Sequence, residues 1–255
     1  MLYVLERWLA RLAASPHAVK FVLKGGMLLA ALGARRPTSD ADLLARHLAN
    51  DEATVVGLVT EVAGRPVHPD DGVELLVGTV ASQSIRDDAL YAGVRVTMDC
   101  RVGRARVKLR LDVNFGDPIT PPPRPVALPS QRPGEPDVVV LGYPVETVLA
   151  EKLSTAMVLG EANTRVRDFV DVYALVGGGE VDRTAVRAAL RATTAHRNVE
   201  IRRLSEVIGG LAEQREKAYR AFKHRLGGDG HRLPPTFAEV VSVVVEFADT
   251  LVAEP

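Results

Sequence analysis

The sequence holds one cysteine, Cys100, in 255 residues. A lone cysteine makes neither an internal disulfide nor a cysteine-rich zinc site, so the chain reads as cytoplasmic. Aromatic residues are scarce, at 5%, which leaves little for a base-stacking surface. The six histidines show no pairing four residues apart, and this disfavours a zinc hydrolase. The P-loop and serine nucleophile-elbow consensus patterns are both missing, and with them those enzyme classes. The longest apolar run without a charge, 25–34, is too short to span a bilayer. Glu6, Arg7 and Arg11 interrupt the start, where a signal peptide needs unbroken apolar residues. Net charge is lacking too. The 32 Lys+Arg cancel the 32 Asp+Glu, which argues against nucleic-acid binding by bulk positive charge.

What is present is an ordinary globular composition, 47% hydrophobic and 25% charged, with ample length for a core. Leu2, Leu5, Leu9 and Leu12 repeat at helical spacing and predict a helix over 2–14. Val19 to Leu23 reads as a strand running into a Gly25-Gly26 turn and a helix over 27–33. Short strands are expected at 41–45, 73–77 and 94–101, and a helix over 51–63 with Asn50 or Asp51 as its cap. After Gly103 comes strict alternation over 104–115. Ala105, Val107, Leu109, Leu111 and Val113 share one face; Arg104, Arg106, Lys108, Arg110 and Asp112 share the other. Residues 117–136 hold eight of the sixteen prolines and read as a linker or extended strap. One more short strand is expected at 138–141. Beyond it the pattern is helical: 145–159, 164–176, 183–195, 198–225 with a break at Gly209-Gly210, and 235–252. The fold class expected is α/β (α+β), with a mixed-sheet domain over 1–140 and a helical domain over 141–255.

The most specific stretch is Lys24-Gly25-Gly26, thirteen residues, then Asp40-Ala41-Asp42. Carboxylates at i and i+2 on a strand point to one face and can share a divalent cation. Hard cations such as Mg²⁺ take one or two carboxylates plus phosphate oxygens. A Gly-Gly turn opening a helix presents backbone N–H groups to a phosphate. The plain alternative is a surface D-x-D beside a tight turn. Asp112 is a candidate third acid for a metal-assisted transfer, or simply the partner of Arg110 or Arg106. Lys152, one of only six lysines, lies beside the core face of the 145–159 helix. It suits phosphate contact as a point charge, or a snorkelling pair with Glu151 or Asp168. Asp168 and Asp171 share a helix face, which alone fits an exposed ion-paired surface equally well.

These residues resemble the AbiEii/MenT group of nucleotidyltransferase toxins, within the DNA polymerase β-type nucleotidyltransferase superfamily. Four blocks carry the likeness: Leu23-Lys24-Gly25-Gly26 with Arg36-Pro37-Thr38-Ser39-Asp40-Ala41-Asp42; Leu111-Asp112-Val113; Glu146 through Leu153; and Arg167-Asp168 through Tyr173. The resemblance implies transfer of nucleotides from an NTP to RNA, with the tRNA 3′ acceptor end favoured and translation inhibited in consequence. It implies Mg²⁺ or Mn²⁺ at Asp40 and Asp42, with Asp112 or Asp168 as the third acid. Lys24, Gly25, Gly26 and Lys152 would handle the triphosphate, with Thr38 or Ser39 as a hydroxyl near the metal. A cognate antitoxin is the implied protein partner. The 26–40 gap is long, Arg167 stands where lysine is common, and nothing after residue 180 matches a family motif.

The zero net charge is a cancellation. Residues 1–36 hold six basic and one acidic residue, 37–150 eleven basic and sixteen acidic, and 191–232 ten basic and five acidic. The basic stretches suit an RNA backbone, as does the Arg104–Arg110 strand face. The alternatives are a nucleotidyl- or phosphotransferase acting on a small molecule or protein, and a catalytically idle member that binds a partner.

Overall fold

A computed structural model describes residues 1–34, 37–87 and 91–253. Arg36, quoted in the first motif block, lies outside them. The chain divides into two compact units. The first takes in Met1–Ala31, Pro37–Asp117 and Pro123–Tyr143; the second runs from Pro144 onward and includes short segments beginning at Leu32 and Pro118.

The first unit is a mixed sheet with helices packed on it. Its strands are β1 (Phe21–Lys24), β2 (Ala41–Ala45), β3 (Val73–Leu75), β4 (Ala81–Asp87), β5 (Tyr91–Val102), β6 (Ala105–Phe115), β7 (Arg124–Leu128) and β8 (Val138–Gly142). Their order is β3-β5-β6-β2-β1-β8-β7, with β4 also paired to β5. β2 runs parallel to β6, and β1 parallel to β8; the other pairings are antiparallel. Alternation sends Leu23, Leu43, Val113 and Val94 to one face, all at most 3% exposed. Helix α1 (Leu2–Ala13) packs on β8 and β6, and α3 (Glu52–Ala63) packs on α1 and β5. Trp8, Leu5 and Leu9 of α1 are fully buried, as the leucine spacing predicts. Asp51 caps α3 by accepting from the Thr54 N–H at 2.8 Å. Helix α2 (Gly25–Ala31) begins directly after β1.

Three features go beyond or differ from the sequence reading. β4 is a strand where the sequence shows no alternation, because it pairs with β5 alone and Ala81 to Ser84 are solvent-exposed. The proline-rich segment contains β7, a strand at the sheet's edge, where Pro125 needs no ladder N–H. The strand expected at 73–77 stops at Leu75 and turns.

The second unit is helical: α4 (Val145–Leu159), α5 (Val166–Gly177), α6 (Arg183–Arg197), α7 (Leu204–Val207), α8 (Leu211–Arg225) and α9 (Phe237–Ala253). Asp182 caps α6 by accepting from the Thr184 and Ala185 N–H groups. The helix expected over 198–225 breaks at Gly209-Gly210 as expected but starts late, at Leu204. Asn198, at φ +53°, ends α6 in the left-handed conformation that asparagine tolerates, and residues 199–203 are not helical. Tyr219 and Phe237 are buried side by side, ring centroids 5.3 Å apart, and anchor α8 to α9. No helix among the described residues is long and apolar enough to cross a membrane.

Candidate active site

Strand register places four charged residues in one row. Lys24 stands opposite Asp42, Asp42 opposite Asp112, and Asp112 opposite Arg95, across β1, β2, β6 and β5. Directly paired residues project to the same face, so the row reads positive, negative, negative, positive. Neighbouring like charges repel, and Asp42 beside Asp112 is held by what flanks it. Arg95 forks onto Asp112, Nε donating to Oδ1 at 2.7 Å and a terminal nitrogen to Oδ2 at 2.6 Å. Lys24 donates to Asp117 Oδ2 at 3.0 Å, and its ammonium lies 5.5 Å from the Tyr143 ring centroid. The bond to Asp112, then the charges of Asp112, Asp40 and Asp42, raise the Arg95 pKa against its burial. All three sequence-identified acids of the first unit therefore act on one guanidinium.

The glycine turn is fitted to this row. Gly25 has φ +66°, and a Cβ there would fall 1.8 Å from Asp42 Oδ2. Only glycine satisfies both the backbone angle and the approach of the carboxylate. Two residues before Asp42, Asp40 is half-buried and accepts a hydrogen bond from Thr38 Oγ1 at 2.8 Å. The Thr38 hydroxyl thus sits on a candidate metal ligand. Ser39 is exposed in the bend between them.

The donors suit a hard cation. Asp40, Asp42 and Asp112 offer carboxylate oxygens, and glycine at position 25 sets no Cβ against the Asp42 carboxylate. Among the described residues, however, no three His, Cys, Asp or Glu side chains close into a metal cage. Neighbouring carboxylates would suit Mg²⁺, which uses one or two of them and draws its other ligands from water and substrate phosphate. Both Asp112 oxygens engage Arg95, and Asp40 accepts from Thr38.

In the second unit, Lys152 of α4 meets two acids of α5. Its ammonium donates to Asp168 Oδ1 at 2.7 Å and Asp171 Oδ2 at 2.8 Å. Arg165 approaches Asp168 at 3.4 Å. Asp171 is 2% exposed, so this helix face is a buried ion cluster and not the solvated surface that its sequence equally allowed. Burial opposes the Lys152 charge, but Asp171 and then Asp168 outweigh it and raise its pKa. Burial likewise opposes ionisation of Asp168, while Lys152, Arg165 and Arg167 hold its carboxyl below the usual range.

The basic stretch 191–232 is less available than its charge suggests. Arg215 donates to the Asn163 carbonyl, Arg220 pairs with Glu216, and Lys223 donates to the Leu233 and Pro234 carbonyls. The Arg104 and Arg106 end of the β5–β6 hairpin is exposed, with Lys108 on Asp99.

Arg95 and Asp117 were not singled out in the sequence. For Arg95 the signal was there. Gly103 marks a two-residue turn, and pairing Val102 with Ala105 across it fixes Arg95 opposite Asp112.

The sequence profile of the nucleotidyl transferase AbiEii toxins, of type IV toxin–antitoxin systems, matches residues 7–243. The chain therefore belongs to the AbiEii family and is a nucleotidyltransferase toxin by that membership. No curated protein is significantly similar to it in sequence. Two solved structures from Helicobacter pylori are similar in shape. JHP933 is 14% identical over 97% of this chain and 88% of its own, at a TM-score of 0.49. A nucleotidyltransferase, so named provisionally, is 15% identical over 97% and 91%, also at 0.49.

Proposed function

We propose that this toxin transfers nucleotides from an NTP to the 3′ acceptor end of tRNA, blocking translation, and does so with Mg²⁺ or Mn²⁺. The carrying observation is the charged row, in which Asp42 lies directly beside Asp112 on parallel strands and against the Gly25 turn. In this reading Asp40 and Asp42 hold the divalent cation. When bound, such an ion neutralises triphosphate charge and favours the attacking hydroxylate. Lys24, with Gly25 and Gly26, receives the triphosphate, and the missing Cβ lets the Asp42 carboxylate lie against the Gly25 turn. Asp112 faces the same side as Asp42 and is the acid placed to orient the acceptor hydroxyl. Lys152 contacts phosphate and Asp168 is the alternative third acid, as the family resemblance has them, with Asp171 holding the Lys152 ammonium in place. The natural setting is the cytoplasm, with an antitoxin as partner.

The deciding experiment incubates the protein with each labelled NTP, Mg²⁺ and total tRNA. Label on tRNA from one preferred NTP is expected, and its loss in the Asp40→Ala, Asp42→Ala double variant. Absence of label on RNA, protein and small molecules with every NTP would overturn the reading. A second reading, with a small-molecule acceptor, is favoured by the basic residues of α8 that are engaged internally. If charge reversal at Lys217 and Arg225, both exposed, leaves transfer intact, the small acceptor gains.

A further inference from the structure

Arg95 spans both oxygens of Asp112, and so stands where a cation serving that carboxylate would have to act. An arginine side chain does not yield by losing a proton; it yields only by moving. Movement is open to it, because the Arg95 side chain is 31% exposed against 10% for Asp112. Its backbone is fixed within the long β5–β6 pairing, but the guanidinium rides on a flexible stem. A divalent cation approaching Asp42 or Asp40 therefore meets a like charge already seated on the neighbouring acid.

We propose that Arg95 is a positioning residue that competes with the divalent cation: it serves as a built-in counter-cation for the acidic row and holds Asp112 until metal and nucleotide arrive together. The inference rests on the metal-dependent reading above and deepens it. Without nucleotide, the guanidinium stays forked on the Asp112 carboxylate. With nucleotide, triphosphate oxygens give it a fork-matched alternative, and Asp112 is released toward the acceptor. Metal and NTP then bind with positive coupling, and the metal alone binds weakly.

The test measures Mn²⁺ alone, by the loss of free-Mn²⁺ electron paramagnetic resonance signal on adding nucleotide-free protein. Arg95→Gln should bind Mn²⁺ about tenfold tighter than the natural chain, with Arg95→Lys, which makes a point contact and no fork, at roughly threefold. Asp42→Asn should weaken Mn²⁺ binding in either background. Equal or weaker binding by Arg95→Gln, with Asp42→Asn still weakening it, would overturn the competition and leave the metal site standing. Mn²⁺ binding that ignores Asp42→Asn would remove the metal reading and this inference with it. Should Arg95→Gln lose its fold by circular dichroism, Arg95→Lys decides alone, and unchanged affinity there overturns the proposal.

Discussion

The two units each gather charge, and they do so to opposite ends. In the sheet unit, Arg95 sits on Asp112 and Lys24 on Asp117, with Asp42 set by register between Lys24 and Asp112. In the helical unit, Lys152 donates to both Asp168 and Asp171, and Arg165 approaches Asp168. The first cluster lies on neighbouring strands, with two like charges held side by side by register. The second lies between two helices, is nearly closed to solvent, and is a fixture that holds the Lys152 ammonium in place. Burying charge is costly unless it is paired, so the pairing of the second cluster carries stability, whereas the adjacent carboxylates of the first are where the proposed cation would act.

The largest effect expected is on transfer. Asp42→Asn should lower it by roughly three orders of magnitude while leaving thermal unfolding nearly unchanged, and a large drop in Tm instead would break the comparison. Next is Lys152→Met, which strands two carboxylates in the helical unit. It should cost about 3–5 kcal/mol in urea unfolding, and the double variant Lys152→Met, Asp171→Leu should recover part of that loss. A Lys152→Met protein as stable as the parent would show that the second cluster is no fixture. Gly25→Ala forces a methyl group onto Asp42 and a strained φ. It should cost about 1–3 kcal/mol and most of the activity, measured by the same two assays.

Thr38→Glu puts a carboxylate beside Asp40 and opposes a triphosphate. It should raise the KM for NTP more than it alters Tm, and full activity at low NTP would refute the placement. The smallest effects are in titration. The lowered Asp168 contributes stability that is complete above about pH 4 and fades as pH falls through its folded value. The raised Lys152 contributes stability that is complete below about pH 10 and fades as pH rises through its folded value. Urea unfolding of Lys152→Met should therefore lose most of its difference from the parent at both extremes. Tyr219, pushed up to about 12 by burial and then by Glu216, Glu239 and Tyr173, should develop phenolate absorbance at a higher pH than an exposed tyrosine.

Where periodicity is local, the sequence announces the structure. α4 spans Val145–Leu159 and β2 spans Ala41–Ala45, as the apolar spacing requires. β4 escaped because an edge strand exposed on both faces needs no apolar alternation. In the candidate site, the spacing of Asp40 and Asp42 and of Asp168 and Asp171 is local and legible. Lys24 with Asp117, and Asp42 with Asp112, are separated by many residues and meet through β1–β2 and β2–β6 pairings that no short-range pattern specifies. Arg95 lay between these cases, legible from the hairpin turn by counting outward from Gly103.

The interleaved strand order has a consequence for synthesis. The row needs residues 24, 42, 95 and 112, and β1 sits between β2 and β8, which ends at Gly142. Parallel pairs such as β2–β6 close only after long intervening chain is made. A ribosome adding about 5–20 residues per second thus carries an inert nascent toxin for on the order of ten seconds before the row exists. The row forms as a single event at completion of the sheet, and translation products that stop before β6 lack it altogether.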